Sequence, residues 1–432
     1  MEIKRDFYLN KLISKKENGL VKVITGIRRS GKSYLLFNIY KNYLNSINID
    51  DSHIIQLSLD ETQNAKYRNP IELDKYIRSL LVDNKMYYVF IDEIQKVYDI
   101  QNPYVDDKDA KINFIDTILG LMKIKNVDVY VTGSNSKMLS SDILTDFRDR
   151  GDEIRVNPLS YKEFCDYKGE NTNSTWREYI TYGGMPLAVT KQTHEEKSKY
   201  LKDLFKRTYL TDVIERHNIR TNKGVLEDLL NIISSCIGSL TNPKKLSDTF
   251  KSVKNKTVTV SSISRYLDYF IDAFLISKAI RFDIKGRKYI NTPLKYYFTD
   301  VGLRNARLNF RQNEENHIME NIIYNELLMR DFDVDVGIVE YNYKDKKKKN
   351  KRKQLEIDFI ANKGSSKYYI QSALNIETKE KKDQETQSLI RTDDFFKKIV
   401  VIKDDIIPWH DDKGILYLGI QEFLLNPSSI DL

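Results

Sequence analysis

The chain has 432 residues, a formal net charge of +8, and 31% charged side chains. At roughly 150 residues per domain, that length accommodates two to four domains with their own cores. Two cysteines, Cys165 and Cys236, exclude a disulfide scaffold and a Cys-rich zinc module, and five histidines leave little for a His-based metal site. No apolar run reaches the roughly 18 residues of a membrane helix and the N-terminus has no signal-peptide pattern, so a reducing cytoplasm and no membrane partner are expected.

The charge is uneven. Residues 1–164 carry 25 basic and 24 acidic side chains, and residues 312–432 carry 19 and 23. Residues 197–311 carry 23 basic and 10 acidic side chains, an excess of +13 that fits a polyanion partner such as DNA.

In chain order, β-rich runs occur at Val21–Thr25, His53–Leu59, Tyr87–Ile91, Val127–Thr132 and Glu153–Val156. Amphipathic helical patterns at Lys32–Asn45, Leu73–Asp83 and Ile112–Ile124 lie between them. Strands alternating with helices predict a parallel sheet with helices on both faces over residues 1–165. Residues 166–223 read as a helical lid or linker, interrupted by Gly183-Gly184-Met185-Pro186. Residues 224–312 hold three helical runs, Val225–Ile237, Lys244–Ser252 and Ser261–Phe274, and then strand runs at Ile276–Phe282 and Lys288–Asn291. That order is the one found in a winged helix-turn-helix. Residues 313–432 begin with a helix at His317–Arg330 and continue with strands at Val334–Tyr343, Gln354–Ala361, Tyr368–Leu374 and Lys398–Ile402, a small α/β domain. The basic run Lys344–Lys353 joins two of these strands and is expected as an exposed hairpin tip.

Chemistry concentrates at the ends of three strands. Gly26-Ile27-Arg28-Arg29-Ser30-Gly31-Lys32-Ser33 matches G-x-x-x-x-G-K-[ST] between a strand and a helix. Its glycines let backbone N–H groups face a phosphate, and the helix N-terminus adds partial positive charge. Gly26, Arg29, Ser30, Gly31, Lys32, Ser33 and Tyr34 are therefore the candidate ATP-binding residues, with Ser33 a candidate Mg2+ ligand. Tyr87–Ile91 ends in Asp92 and Glu93, which suit an Mg2+ ligand and a water-polarising base. Val129–Thr132 ends in Gly133-Ser134-Asn135, where Asn135 is the first candidate γ-phosphate sensor and Ser134 the second. Arg148 and Arg150 are candidates for a cation that stabilises transition-state charge, in cis or across a homo-oligomer interface.

With these segments quoted, the chain resembles bacterial and archaeal AAA+ ATPases that carry a C-terminal domain of unknown function. The resemblance rests on GIRRSGKS, VFIDEIQ, VTGSNSKML, Asn157–Phe164, Tyr182–Pro186 and Lys295–Leu303. It implies an ATP-hydrolysing α/β fold, a P-loop AAA+ parallel sheet, with roles at Lys32, Ser33, Asp92, Glu93, Asn135 and Arg150. The last domain is similar to the PD-(D/E)xK restriction-endonuclease-like core. That likeness places Glu320 on the helix and Asp358 on the first strand, with Gln371 and Ala373 where a carboxylate and a lysine belong. Neutral residues at both positions speak against metal-dependent cleavage.

Three functions follow. The first is a DNA-associated ATP switch or motor, with Arg265 on the third winged-helix helix and Lys285, Arg287 and Lys288 on the hairpin as DNA contacts. The second is a regulatory NTPase acting on a protein partner. The third is an ATP-dependent nuclease.

Overall fold

The computed structural model describes residues 3–133, 150–217, 219, 223–311, 314–344 and 350–432. The chain divides into two compact units. Met1–Pro158 with Asp272–Phe274 forms one, and Leu159–Ile271 with Leu275–Leu432 forms the other.

The first unit is built on strands β1 (Val21–Thr25), β2 (Ile54–Ser58) and β3 (Tyr87–Asp92). A two-residue hairpin pair, β4 (Ile100–Gln101) and β5 (Lys111–Ile112), stands apart from the sheet. Strands β6 (Val127–Thr132) and β7 (Gly151–Arg155) complete it in the order β2-β3-β6-β1-β7. Every neighbour in this sheet is parallel, as the alternation of strands and helices predicted. β1 and β3 are buried at every residue; β3 is apolar up to Asp92, and the buried Lys22 of β1 pairs with Asp128. One face packs Val23, Leu57, Val89 and Val131 against Leu73, Ile77, Ile118 and Leu121. The helix after β1 starts at Lys32 and runs to Ser46, with a wider π turn over Leu35–Tyr40. A helix not foreseen from the sequence, Asp6–Lys15, precedes β1.

Within the second unit, but for Asp272 at the end of the last, three helices, Lys223–Ser235, Pro243–Lys254 and Val260–Asp272, match the predicted helical runs. They lead into β8 (Ile276–Asp283) and β9 (Lys288–Phe298), an antiparallel pair. β10 (Asp333–Lys344) and β11 (Asn350–Lys363) pair as a long hairpin, and residues 345–349 of its expected basic tip lie outside the described residues. β12 (Ser366–Ala373), β13 (Lys397–Ile402), β14 (Trp409–His410) and β15 (Leu416–Gly419) follow. The sheet order is β14-β15-β13-β12-β11-β10-β8-β9.

One expectation is corrected here. The winged-helix order predicts a β8–β9 wing that closes before residue 312, with a separate sheet beyond. Instead β8 pairs on its other side with β10 in parallel, Phe282 opposite Gly337, so the hairpin is the edge of one eight-stranded sheet. β8 is not an edge strand, and buried positions recur along it, Ile276, Ala279, Arg281 and Asp283 among them.

Two segments that carried the sequence resemblance meet in this unit. Asp300, fully buried, accepts from Gly184 N at 2.7 Å and Leu303 N at 2.9 Å, and burial pushes its carboxyl up to about 6. Asn305 donates to the carbonyls of Ile180 and Thr181 at 2.9 and 3.0 Å. The approach is so close that a Cβ on Gly302 would lie 2.0 Å from the Tyr182 carbonyl oxygen, so only glycine fits.

Candidate functional site

In a parallel sheet the loops after the strands lie along one edge. Three of them meet here. The loop after β1 carries Arg28, Arg29, Lys32 and Ser33; Asp60 follows β2; Asp92 and Glu93 end β3. These residues line a cavity of about 300 Å³. Thr132, the last residue of β6, adjoins it through Asp92.

The loop geometry is set by backbone conformations that few side chains tolerate. Gly26 has φ +131, and a Cβ there would lie 2.1 Å from the Val156 carbonyl oxygen. Gly31 (φ 95) and Arg29 (φ 68) are also left-handed, which curls the chain into a nest before the helix begins at Lys32. Lys32 is buried, and its ammonium donates to the carbonyls of Gly26 and Ile27, each at 3.1 Å. Burial pushes that ammonium down to about 8, against the pull of the Glu93 and Asp92 carboxylates. Ser33 Oγ donates to Asp92 Oδ1 at 2.9 Å, so a hydroxyl and a carboxylate, both oxygen donors that could hold a hard cation, face each other. Glu93 follows with φ 56 and ψ 47, a left-handed backbone in a residue with a side chain.

Of the candidate residues, Arg29, Gly31, Lys32, Ser33, Tyr34, Asp92 and Glu93 line this cavity, and Gly26 turns the loop beside it. Ser30 is buried beneath the loop, with its carbonyl accepting from Arg5 at 3.2 Å. Arg150 is exposed just before β7. Ser134, Asn135 and Arg148 lie outside the described residues. Asp60, Thr132 and Gln95 were missed. The available signal was position: an acid just past β2 must fall on the same edge as Asp92. Thr132 carries little local signal, standing at the end of an apolar strand before the more polar Ser134 and Asn135.

The second unit holds a buried charge cluster. Glu320, on the helix Glu315–Met329, and Asp358, on β11, both reach the Lys295 ammonium. Gln371 on β12 joins them, donating to Asp358 Oδ2 at 2.8 Å and to Glu385 Oε2 at 3.3 Å. Ala373, by contrast, packs into the apolar core with Ile357, Ile360 and Leu389. The ammonium missing from that position arrives from another strand. Lys295 of β9 places its Nζ 2.7 Å from Glu320, 2.7 Å from Glu356 and 3.3 Å from Asp358. Burial alone would depress Lys295, but the three carboxylates outweigh it and hold the ammonium above its ordinary value. The acids divide around this cation. Burial and the Glu320 charge push Asp358 up, whereas Glu320 is held down, its burial outweighed by Lys295. Tyr297 also donates to Glu320, at 2.6 Å. Among the described residues, no group of three or more His, Cys, Asp or Glu is placed to hold a metal ion.

The basic candidates Arg265, Lys285, Arg287 and Lys288 are all exposed. Lys285 reaches Asp393 at 2.5 Å, and Lys254 and Lys256 share Asp228 at 2.9 and 3.0 Å. Among the described residues, no helix is long and apolar enough to cross a membrane.

Comparison with known proteins places these features. Residues 18–165 match the family described as an AAA domain, and residues 173–314 match a domain of unknown function (DUF8612). An uncharacterized protein of Haemophilus influenzae is 32% identical over 406 residues, spanning 92% of this chain and 93% of that one. The uncharacterized protein MJ1544 of Methanocaldococcus jannaschii is 30% identical over 346 residues, 76% of this chain and 70% of that one. Among solved structures, the Walker-type ATPase PABY2304 of Pyrococcus abyssi aligns at 16% identity and a TM-score of 0.46, over 71% of this chain and 96% of that one.

The Lys32 environment predicts a pH-dependent affinity. Phosphates beside Lys32 favour its ammonium form, so ATP binding takes up a proton once the pH passes the value of about 8 to which burial lowers it. Calorimetric titration should show ATP affinity falling above that pH, approaching about tenfold per unit, with no such slope and weaker binding in Lys32→Ala. A flat wild-type profile would refute the assignment.

Proposed function

We propose that this chain, which belongs to one family with the uncharacterized Haemophilus influenzae and Methanocaldococcus jannaschii proteins and matches an AAA domain over residues 18–165, hydrolyses ATP and couples that cycle to an action on DNA. The observation that carries the ATPase reading is the convergence of Lys32, Ser33, Asp92 and Glu93 on one cavity at the sheet edge. The groups fit a magnesium nucleotide. The Gly26 and Gly31 conformations form an anion nest, and Ser33 and Asp92, 2.9 Å apart, would hold Mg2+. Bound there, the ion supplies charge compensation for the phosphate oxygens. The chain's own residues do the rest. Lys32 offsets phosphate charge from beneath the loop. Glu93 draws a proton from the attacking water. We assign Asn135 as sensor and Arg150 or Arg148 as the cation at the γ-phosphate, in cis or from a second copy.

The DNA reading is supported by the charge of residues 197–311 and by the exposure of Arg265, Lys285, Arg287 and Lys288. Phosphate contacts from such residues position a protein on the duplex without reading sequence. A second reading, a regulatory NTPase acting on a protein, is favoured by the ion pairs that Asp393 and Asp228 make with part of this basic surface. The nuclease reading is the weakest. Lys295 already balances the carboxylates that a divalent ion would need.

Glu93→Gln should bind ATP yet turn over slower by about two orders of magnitude or more, as expected for a lost general base. Wild-type turnover in that variant would remove Glu93 from the role. DNA should bind with an affinity that falls as salt rises, with a slope near −0.9 per phosphate contact, and should raise the ATPase rate. Replacing Lys285, Arg287 and Lys288 together should flatten the slope. No binding at about 50 mM salt, with or without ATP, would hand the function to the regulatory reading. Plasmid and single-stranded DNA should stay intact with Mg2+ or Mn2+, with or without ATP. Cleavage that disappears in Asp358→Ala would revive the nuclease reading.

A further inference from the structure

The VFIDEIQ segment ends in a glutamine that does not line the cavity. Gln95 lies two residues beyond Glu93, in the short turn Ile94–Lys96. Its side-chain Nε2 donates to Glu93 Oε2, so the amide grips the carboxylate directly. Gln95 Oε1 is buried and has no hydrogen-bond partner among the described residues.

A second residue holds Glu93 from its backbone. Thr132 is fully buried at the end of β6. Its Oγ1 accepts the Glu93 backbone N–H at 3.2 Å. The hydroxyl has one proton, and it goes to Asp92 Oδ1, the oxygen that also accepts from Ser33 Oγ at 2.9 Å. An unbroken chain of hydrogen bonds therefore runs from Ser33 through Asp92 and Thr132 to Glu93, and on to Gln95.

This chain explains how Glu93 keeps a left-handed backbone. A residue with a Cβ leaves that conformation unless its surroundings hold it there. If the backbone relaxed, the carboxylate would move away from the cavity it lines. Thr132 holds the amide and Gln95 holds the carboxylate, so both degrees of freedom are restrained.

We infer that Thr132 and Gln95 are positioning residues for ATP hydrolysis, a two-point clamp that holds Glu93 in its working orientation and ties it to the Mg2+-holding Asp92. The inference rests on the assignment of Glu93 as the base. Neither residue lines the phosphate nest, so the clamp acts on turnover and not on ATP affinity.

The test compares full-length variants by steady-state ATPase rate at saturating Mg2+, by equilibrium binding of ATPγS, and by thermal melting. Thr132→Val keeps the shape and removes the hydroxyl. It should lower kcat about tenfold or more while ATPγS affinity stays within about twofold. Thr132→Ser restores the hydroxyl and should recover kcat to within about twofold of wild type. Gln95→Leu, at a half-buried site where folding is less at risk, should lower kcat about tenfold. Gln95→Leu combined with Glu93→Gln should be no slower than Glu93→Gln alone, because a clamp has nothing left to orient. A merely structural role would add its loss in both backgrounds and would weaken nucleotide binding with it.

Wild-type kcat in Thr132→Val or Gln95→Leu, a Thr132→Ser enzyme as slow as Thr132→Val, or additive losses in the double variant would overturn the clamp. If Glu93→Gln is slow while the clamp variants turn over normally, only the clamp fails. If Glu93→Gln itself keeps wild-type turnover, the base assignment fails and takes the clamp with it.

Discussion

The phosphate site depends on the parallel pairing of β2, β3, β6 and β1. Parallel neighbours end on the same side, so the residues just past each strand line up in sheet order. Asp60 follows β2, Asp92 and Glu93 end β3, Thr132 ends β6, and the glycine-curled loop follows β1. No long-range electrostatic arrangement is needed to collect them. The register does it: Ile91 sits opposite Val131, and Val131 opposite Val23. A slip of one residue in this register would send Asp92 to the other face and separate it from Ser33. Below the edge, the buried Lys22–Asp128 pair links β1 to β6, and Tyr130 donates to the same carboxylate at 2.7 Å.

The second unit balances charge differently. Four acids, Glu320, Glu356, Asp358 and Glu385, converge on a largely buried spot, where unpaired charge is costly. Lys295 supplies the compensating ammonium, and Gln371 satisfies two carboxylates without adding charge. β9 can reach that spot because it is the edge of the same sheet, two strands from β10 and facing the helix that carries Glu320. The merger of the β8–β9 hairpin with the sheet is thus connected to the chemistry of the cluster. A free wing would have carried Lys295 elsewhere.

The basic surface is partly self-compensated. Asp228 and Asp393 pair with Lys254, Lys256 and Lys285, and exposed pairs of this kind are weak and screened by salt. Such pairs open readily when a polyanion competes for the lysines. They temper the charge that the composition displays but do not cancel it.

Much of this protein was legible in its sequence. The strand–glycine loop–helix segment, the apolar run ending in Asp92-Glu93, the alternation of strands and helices, and the three helices before β8 all express local rules of periodicity, capping and backbone freedom. Those rules operate over a few residues, so a linear reading captures them. What the sequence could not assign was partnership across long separations. Lys295 as the ammonium of the Glu320 and Asp358 cluster, Thr132 as the bridge between Asp92 and Glu93, and Asp300 as the acceptor of the Gly184 amide depend on which strands become neighbours. Register and sheet order decide that, through packing summed over the whole core. The local pattern around Lys295 shows only a lysine beside aromatic residues; that this lysine is buried among three carboxylates is a property of the folded sheet alone.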